Sequence, residues 1–283
     1  MSPAPPAATG AQDPLAEAFA LGPAGAEPAR EIGRIPVLRD NYVFVLHDGT
    51  RAAVVDPAVA EPVIAWLRQR GLSLTAILQT HHHSDHIGGT PQLLQAWPEA
   101  AVVAARADLE RIPFQTHGVS GGERFRLLGR PVQVLGVPGH TRAHLAYYLP
   151  PSPPAGGSDT EAQAQTGELF CGDTLFSAGC GRLFEGTAEQ MHRSLQQLKA
   201  LPAATRVWCA HEYTETNLRW ASRQRPDDGA LSARLLEVQA QRRRHEPTIP
   251  SSLAEERRTN LFLRARDAQE LAELRASRND WNG

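Results

Sequence analysis

The run Thr80-His81-His82-His83-Ser84-Asp85-His86 constrains this chain more than any other stretch. Four imidazoles and one carboxylate fall within six residues, directly after the apolar segment Leu74 to Leu78 and just before Gly88-Gly89. The apolar segment reads as a strand, so the cluster stands at a strand end rather than along a solvated face. On an extended backbone His81 and His83, two apart, project to one side and can share a metal ion. Asp85 and His86 lie where the chain turns and point to a neighbouring position. Neutral imidazole and carboxylate suit zinc, iron or manganese. The plain alternative is a surface histidine cluster, and the strand, the interleaved aspartate and the glycines behind it argue against that.

Three later segments repeat one format, an apolar run followed by a ligand-type residue. Val134 to Gly139 leads to His140, Leu169 to Gly172 leads to Asp173, and Val207 to Ala210 leads to His211. Singly each is weak, since a histidine after a strand is usually structural and Gly-Asp is usually a turn. Together with the first cluster they supply the remaining ligands of a two-metal site. The glycines before His140 and Asp173 let the backbone turn sharply there.

The histidine cluster, Pro138-Gly139-His140, Gly172-Asp173-Thr174 and His211 resemble the metallo-β-lactamase superfamily. Two longer stretches are more specific. Gly172 to Phe176 with Gly179 to Thr187, and Cys209-Ala210-His211-Glu212-Tyr213-Thr214, resemble the glyoxalase II (hydroxyacylglutathione hydrolase) family. Asn41-Tyr42 and Arg257 to Arg264 are similar to its bacterial branch, and the likeness spans roughly residues 32 to 265. The resemblance implies an α/β fold, an αβ/βα sandwich of two mixed sheets with a small C-terminal helical domain. It implies that His81, His83 and His140 bind one metal, that Asp85, His86 and His211 bind a second, and that Asp173 bridges both. Two divalent ions, Zn2+ with Fe or Mn as alternatives, would hold a bridging hydroxide oriented by Asp85. The implied reaction is metal-dependent hydrolysis of the thioester S-D-lactoylglutathione to D-lactate and glutathione, with Asp85 and Asp173 as the catalytic carboxylates. Arg182, Phe184, Tyr213, Arg257 and Asn260 are implied as substrate contacts, the arginines suiting carboxylates by geometry as well as charge. Phe184 stands where some relatives have tyrosine, Asn260 where others have lysine, and Ala143 where glycine is usual. The remaining histidines, His47, His82, His117, His192 and His245, are expected to be structural or surface groups, and His144 to orient the site.

The rival within the superfamily is another enzyme such as a persulfide dioxygenase, a lactonase or a β-lactamase. The Arg182 to Gly186 stretch and the helical tail favour the thioester hydrolase. A nucleic-acid partner would need a basic surface, and 29 basic against 31 acidic residues, a net charge of -2, give none. No apolar run approaches the ~20 residues of a membrane helix. The odd set Cys171, Cys180 and Cys209 fits free thiols in a reducing compartment. No basic residue precedes Arg30, so the charged start of a secretory signal is missing. A cytoplasmic monomer acting on a small-molecule glutathione thioester is the expectation.

Residues 1–31, rich in Ala, Pro and Gly, read as a disordered tail, with an extra strand or a partner-binding arm as the alternative. Residues 32–211 read as the catalytic domain, with residues 150–167 as an inserted surface loop. Residues 212–283, helical and arginine-rich, read as the substrate-binding domain.

Overall fold

The computed structural model describes residues 19–21, 31–151 and 166–281. The first half runs β1 (Ala20–Leu21), β2 (Glu31–Val37), β3 (Asn41–His47), β4 (Arg51–Val55), α1 (Glu61–Gln69), β5 (Ser73–Leu78), α2 (Ser84–Ile87), α3 (Thr90–Ala96), β6 (Ala101–Ala105) and β7 (His117–Val119). The second half runs β8 (Arg124–Leu127), β9 (Arg130–Gly136), β10 (Leu145–Leu149), β11 (Glu168–Gly172), the small hairpin β12 (Leu175–Phe176) and β13 (Gly179–Cys180), α4 (Ala188–Lys199) and β14 (Arg206–Cys209). Then follow α5 (Thr214–Gln224), α6 (Gly229–Arg243), β15 (Ser251–Ser252), α7 (Leu253–Thr259), α8 (Leu261–Arg264) and α9 (Ala268–Asn279).

Two mixed sheets face each other. One has the order β2-β3-β4-β5-β6-β7, the other β1-β8-β9-β10-β11-β14-β15. Alternation along each strand decides which layer a side chain joins. In β3, Phe44 and Leu46 enter the core shared with the second sheet, while Val43 and Val45 pack beneath the helices on the outer face. In β4, Ala53 and Val55 face inward and Ala52 and Val54 outward. Helix α1 lays fully buried Val63 and Leu67 on that outer face, each stabilising by about 1.5–3 kcal/mol. On the other side α4, opened by a capping box between Thr187 and Gln190, seats Met191, Leu195 and Leu198 in the larger core cluster with residues of the second sheet. Both sheets are therefore covered, which gives the helix-sheet-sheet-helix layering expected from the sequence. Among the described residues no helix is long and apolar enough to cross a membrane.

Two expectations are corrected. Phe19 to Leu21, read as part of a disordered tail, pair in parallel with Arg126 and Leu127, and the Phe19 ring stacks on Phe125 at 4.8 Å. Phe19 and Leu21 both pack against the core and dock a segment otherwise poor in large apolar groups. The other residues of that segment up to 30 lie outside the described ones, apart from these three, as do residues 152–165 of the expected surface loop. The region after residue 212 is also not purely helical: β15 pairs with β14 through Arg206–Ser252 and Val207–Ser251. Two serines carry no periodic signal, so only the tertiary context makes them a strand.

Candidate metal centre

Five of the seven candidate ligands follow a strand and the other two sit on the short helix after β5. His81 and His83 follow β5, Asp85 and His86 sit on α2, His140 follows β9, Asp173 follows β11 and His211 follows β14. Strands β11 and β14 are parallel neighbours, so Asp173 and His211 leave the sheet at the same edge. Gly172 turns the chain there with φ +47°, and a Cβ at that position would lie 2.3 Å from Thr80 Oγ1. Only glycine fits.

The ring nitrogens of His81, His83 and His140 form one group, and atoms of Asp85, His86 and His211 form another, each within 4.8 Å internally. His83 Nδ1 lies 3.0 Å from His81 Nε2 and 3.1 Å from His140 Nε2. Asp173 spans the two groups. Its Oδ2 lies 3.4 Å from His140 Nε2, while its Oδ1 lies 3.4 Å from His86 Nε2 and 3.3 Å from His211 Nε2. Asp85 Oδ2 stands 3.8 Å from His86 Nε2 and 3.6 Å from His211 Nε2.

The outer hydrogen bonds fix which nitrogen of each ring is free. His140 Nδ1–H donates to the Arg182 carbonyl at 2.9 Å. His86 Nδ1–H donates to Asp56 Oδ2 at 3.0 Å, and His211 Nδ1–H to Asp40 Oδ1 at 2.8 Å. The Thr80 hydroxyl gives its proton to Asp56 at 2.7 Å and so accepts from His81 Nδ1–H at 3.0 Å. In these four histidines the Nε2 lone pair is therefore turned inward, toward other lone pairs and toward the Asp173 carboxylate. Among the described residues, His86 Nε2 and Asp173 Oδ1 are buried without a hydrogen-bond partner. Acceptors aimed at acceptors in a buried site repel unless cations sit between them, and divalent ions satisfy that demand.

The titration behaviour carries the same message. Burial works to raise the Asp173 carboxyl, but His86 and His211 hold it far below the usual carboxylate range. Burial works to lower His211, yet Asp173 and Asp40 carry it up to about 10. Burial and the neighbouring His140 push His83 down to about 4. One histidine group resists a proton and the other seeks positive charge; both suit cation binding in place of protons.

Beside these two groups lies a cleft of about 1120 Å³, lined among others by Asp85, His140, Asp173, Arg182, Phe184 and Tyr213. Phe184, 62% exposed, sets its ring edge-on to His83 and His140 at 5.7 and 5.2 Å. Tyr213 stacks on His211 at 4.7 Å. Arg275 and Arg278 of α9 also line the cleft. Burial lowers the Arg278 guanidinium, and the charges of Arg275 and Arg182 push in the same direction, so the three form a cluster of cations.

Arg257 and Asn260, expected to touch substrate, are held elsewhere. Arg257 donates to the carbonyls of Lys199 and Leu201 behind α4. Asn260 is wholly buried, its Nδ2 bound to the carbonyls of Phe176 (3.1 Å) and Gly179 (2.9 Å), and its Oδ1 caps α8. It fastens the β12–β13 hairpin to the helices. Of the histidines set aside, His82 turns away toward Asp108 and Arg111, His144 Nε2 accepts the Asp173 N–H at 3.2 Å, and His245 lines the cleft. Asp40 and Asp56 went unnoticed in the sequence. Asp56 had a signal, because it follows apolar β4 as Asp173 follows β11.

A family model described as the metallo-beta-lactamase superfamily matches residues 36–211, and one described as the hydroxyacylglutathione hydrolase C-terminus matches residues 212–281. A hydroxyacylglutathione hydrolase of Synechococcus sp. (strain WH7803) is 58% identical over 252 residues, covering 89% of this chain and 96% of its own length. That of Prochlorococcus marinus (strain MIT 9303) is 58% identical, covering 88% and 93%. Among solved structures, ETHE1 from Myxococcus xanthus superposes with a TM-score of 0.60 at 24% identity, covering 87% of this chain and 90% of its own. The BLEG-1 B3 metallo-beta-lactamase also gives 0.60, at 21% identity, covering 83% and 100%. These structures share the fold.

Proposed function

From the premise that this chain belongs to the metallo-β-lactamase superfamily and, within it, to the hydroxyacylglutathione hydrolases, we propose how its own residues carry out glutathione thioester hydrolysis. The enzyme uses divalent metal ions. Our reading is that His81, His83 and His140 would hold one ion, that Asp85, His86 and His211 would hold the other, and that Asp173 would be shared between them. The supporting observation is the Asp173 carboxylate, whose Oδ2 faces the first group while its Oδ1 faces the second. Zinc is the ion we favour, with iron and manganese suiting the same donors.

Such a pair of ions, when bound, acidifies water toward neutrality and polarises the thioester carbonyl. The protein's part is to hold the ligands ready. Asp56, Thr80, Asp40 and the Arg182 carbonyl keep four Nδ1 atoms protonated and four Nε2 atoms free. Asp85, 40% exposed and held at Oδ2 by Asn41 Nδ2 at 3.3 Å, can take a hydrogen bond from the attacking water and aim it. The leaving group is a thiolate, stable enough to depart without a proton from the protein, and no nucleophilic side chain is required.

Glutathione carries two carboxylates, and Arg182, Arg275 and Arg278 offer a matching cluster of guanidinium groups. Among the described residues none of the three has a carboxylate partner within ion-pair distance. Tyr213 and Phe184 would flank the substrate beside the reacting carbonyl. The preferred acyl group in this reading is D-lactoyl. We divide the chain into a catalytic part, residues 32–211, and a substrate-binding part, residues 212–283, and place the monomer in the cytoplasm, where its free thiols stay reduced. The test is a steady-state assay with S-D-lactoylglutathione on metal-quantified protein, beside the Asp173→Ala variant. Two ions per chain and loss of turnover in the variant are expected; full turnover by the variant would overturn the ligand assignment.

A further inference from the structure

Beside the first histidine group, three chain segments meet at one arginine. Arg111, in the loop between β6 and β7, forms an ion pair with Asp108 and another with Glu185, and donates to His82 Nε2 at 3.2 Å. Because a guanidinium only donates, His82 Nε2 is the acceptor and Nδ1 carries the proton, which faces Asp108 Oδ2 at 3.4 Å. His82 thus stands locked between His81 and His83. Glu185 in turn accepts the Arg142 backbone N–H at 2.8 Å, two residues beyond His140. The backbone around Glu185 doubles this link. Phe184 and Glu185 N–H both point to the His140 carbonyl at 3.3 Å, and Gly186 N–H donates to the Gly139 carbonyl at 3.1 Å. The return contact is the Arg182 carbonyl that receives His140 Nδ1–H.

We infer that Arg111 and Glu185 are a positioning pair: together they fix the loop of residues 181–187 against the His81–His83 and His140 segments, and so set the tautomer and aim of the His140 ring. Neither residue lines the cleft. Arg111 is suited to the task because its fork reaches the ligand loop through His82 and the substrate loop through Glu185 at the same time. Asp108 is almost fully buried, while Arg111 and Glu185 are 32% and 21% exposed, so the Arg111–Glu185 pair is part-buried and screened less than a fully exposed one. The loop it anchors carries both Arg182 and Phe184, so one pair couples the ligand geometry to the substrate-facing groups.

The inference rests on the two-metal reading, and its test separates the two. Glu185→Gln, Arg111→Met and the double variant are prepared in metal-loaded and metal-free form. A chelator titration should remove one of the two ions about 10-fold more readily from each single variant, the usual cost of losing an outer partner of a ligand. kcat should fall by a similar factor while KM changes less. The double variant should behave like either single one, since both break the same connection. Metal-free melting temperatures of the variants should match that of metal-free wild type. Wild-type chelator resistance in both single variants, additive losses in the double variant, or an equal drop in melting temperature with and without metal would each overturn it. A wild type that binds no metal would instead sink the two-metal reading itself.

Discussion

Asp56→Asn isolates what the outer carboxylate does for the ligands. Asp56 has φ +50°, a left-handed conformation that asparagine adopts as readily as aspartate, so the backbone is kept. The carboxylate accepts three hydrogen bonds: Thr80 N–H at 2.8 Å on Oδ1, with the Thr80 hydroxyl at 2.7 Å and His86 Nδ1–H at 3.0 Å on Oδ2. An amide oxygen in place of Oδ1 still serves the Thr80 backbone. The NH2 group in place of Oδ2 then meets two donors. His86 must either lose its partner or move its proton to Nε2, the atom that faces Asp173. A hydrogen bond to a charged group contributes about 1.5–3 kcal/mol, which corresponds to roughly 10–100-fold in affinity for the ion that His86 is proposed to hold. The Thr80 hydroxyl is also pulled from its role as acceptor for His81, so the loss should reach both ions. Chelator titration of the variant, with turnover recorded on the same samples, measures this. If Asp56→Asn holds both ions as tightly as wild type and turns over at the same rate, the tautomer reasoning is wrong.

Other expected outcomes are as follows. Arg278→Ala should raise KM for the glutathione thioester roughly 10-fold, the worth of one charge-assisted hydrogen bond, with a smaller effect on kcat; an unchanged KM in steady-state assays would remove Arg278 from the substrate site. Asn260→Ala should lower stability by roughly 1–3 kcal/mol in denaturant unfolding while leaving KM unchanged, because its bonds hold the hairpin carbonyls rather than substrate. For Asp48, burial pulls upward but the N–H groups of Arg51 and Thr50 hold the carboxyl down at about 2, against an ordinary 3.8. Its folded-state value is the lower one, so its stabilisation is complete above 3.8 and fades as pH falls toward about 2. Asp48→Asn should erase that part of the pH dependence of unfolding and little else.

Much of the site was legible because metal ligands and strand ends have sharp signatures. His81, His83, His140, Asp173 and His211 each follow an apolar run whose length and alternation mark a strand, and the parallel pairing of β11 with β14 brings the ends that carry Asp173 and His211 together. Asp56 obeys the same format and was readable in principle. Asp40 was not, since a turn aspartate before β3 looks like any other turn. The substrate side was harder. The resemblance pointed to Arg257 and Asn260, but burial decides whether such a group meets a ligand or a backbone carbonyl, and burial does not show in a string of letters. Arg275 and Arg278 are the two arginines of α9 in an arginine-rich C-terminal region, and only the packing of that helix against the cleft singles them out. Likewise β1 and β15, two residues each, exist because a neighbouring strand edge was available, not through any propensity of their own.

The central claim is that seven side chains hold two ions with Asp173 shared between them. Elemental analysis of the chain after loading and removal of loose metal tests it most directly, with wild type and Asp173→Ala side by side. The account predicts two equivalents for wild type and a marked deficit in the variant. One equivalent or fewer in fully active wild type, or two tightly held in the variant, would contradict it.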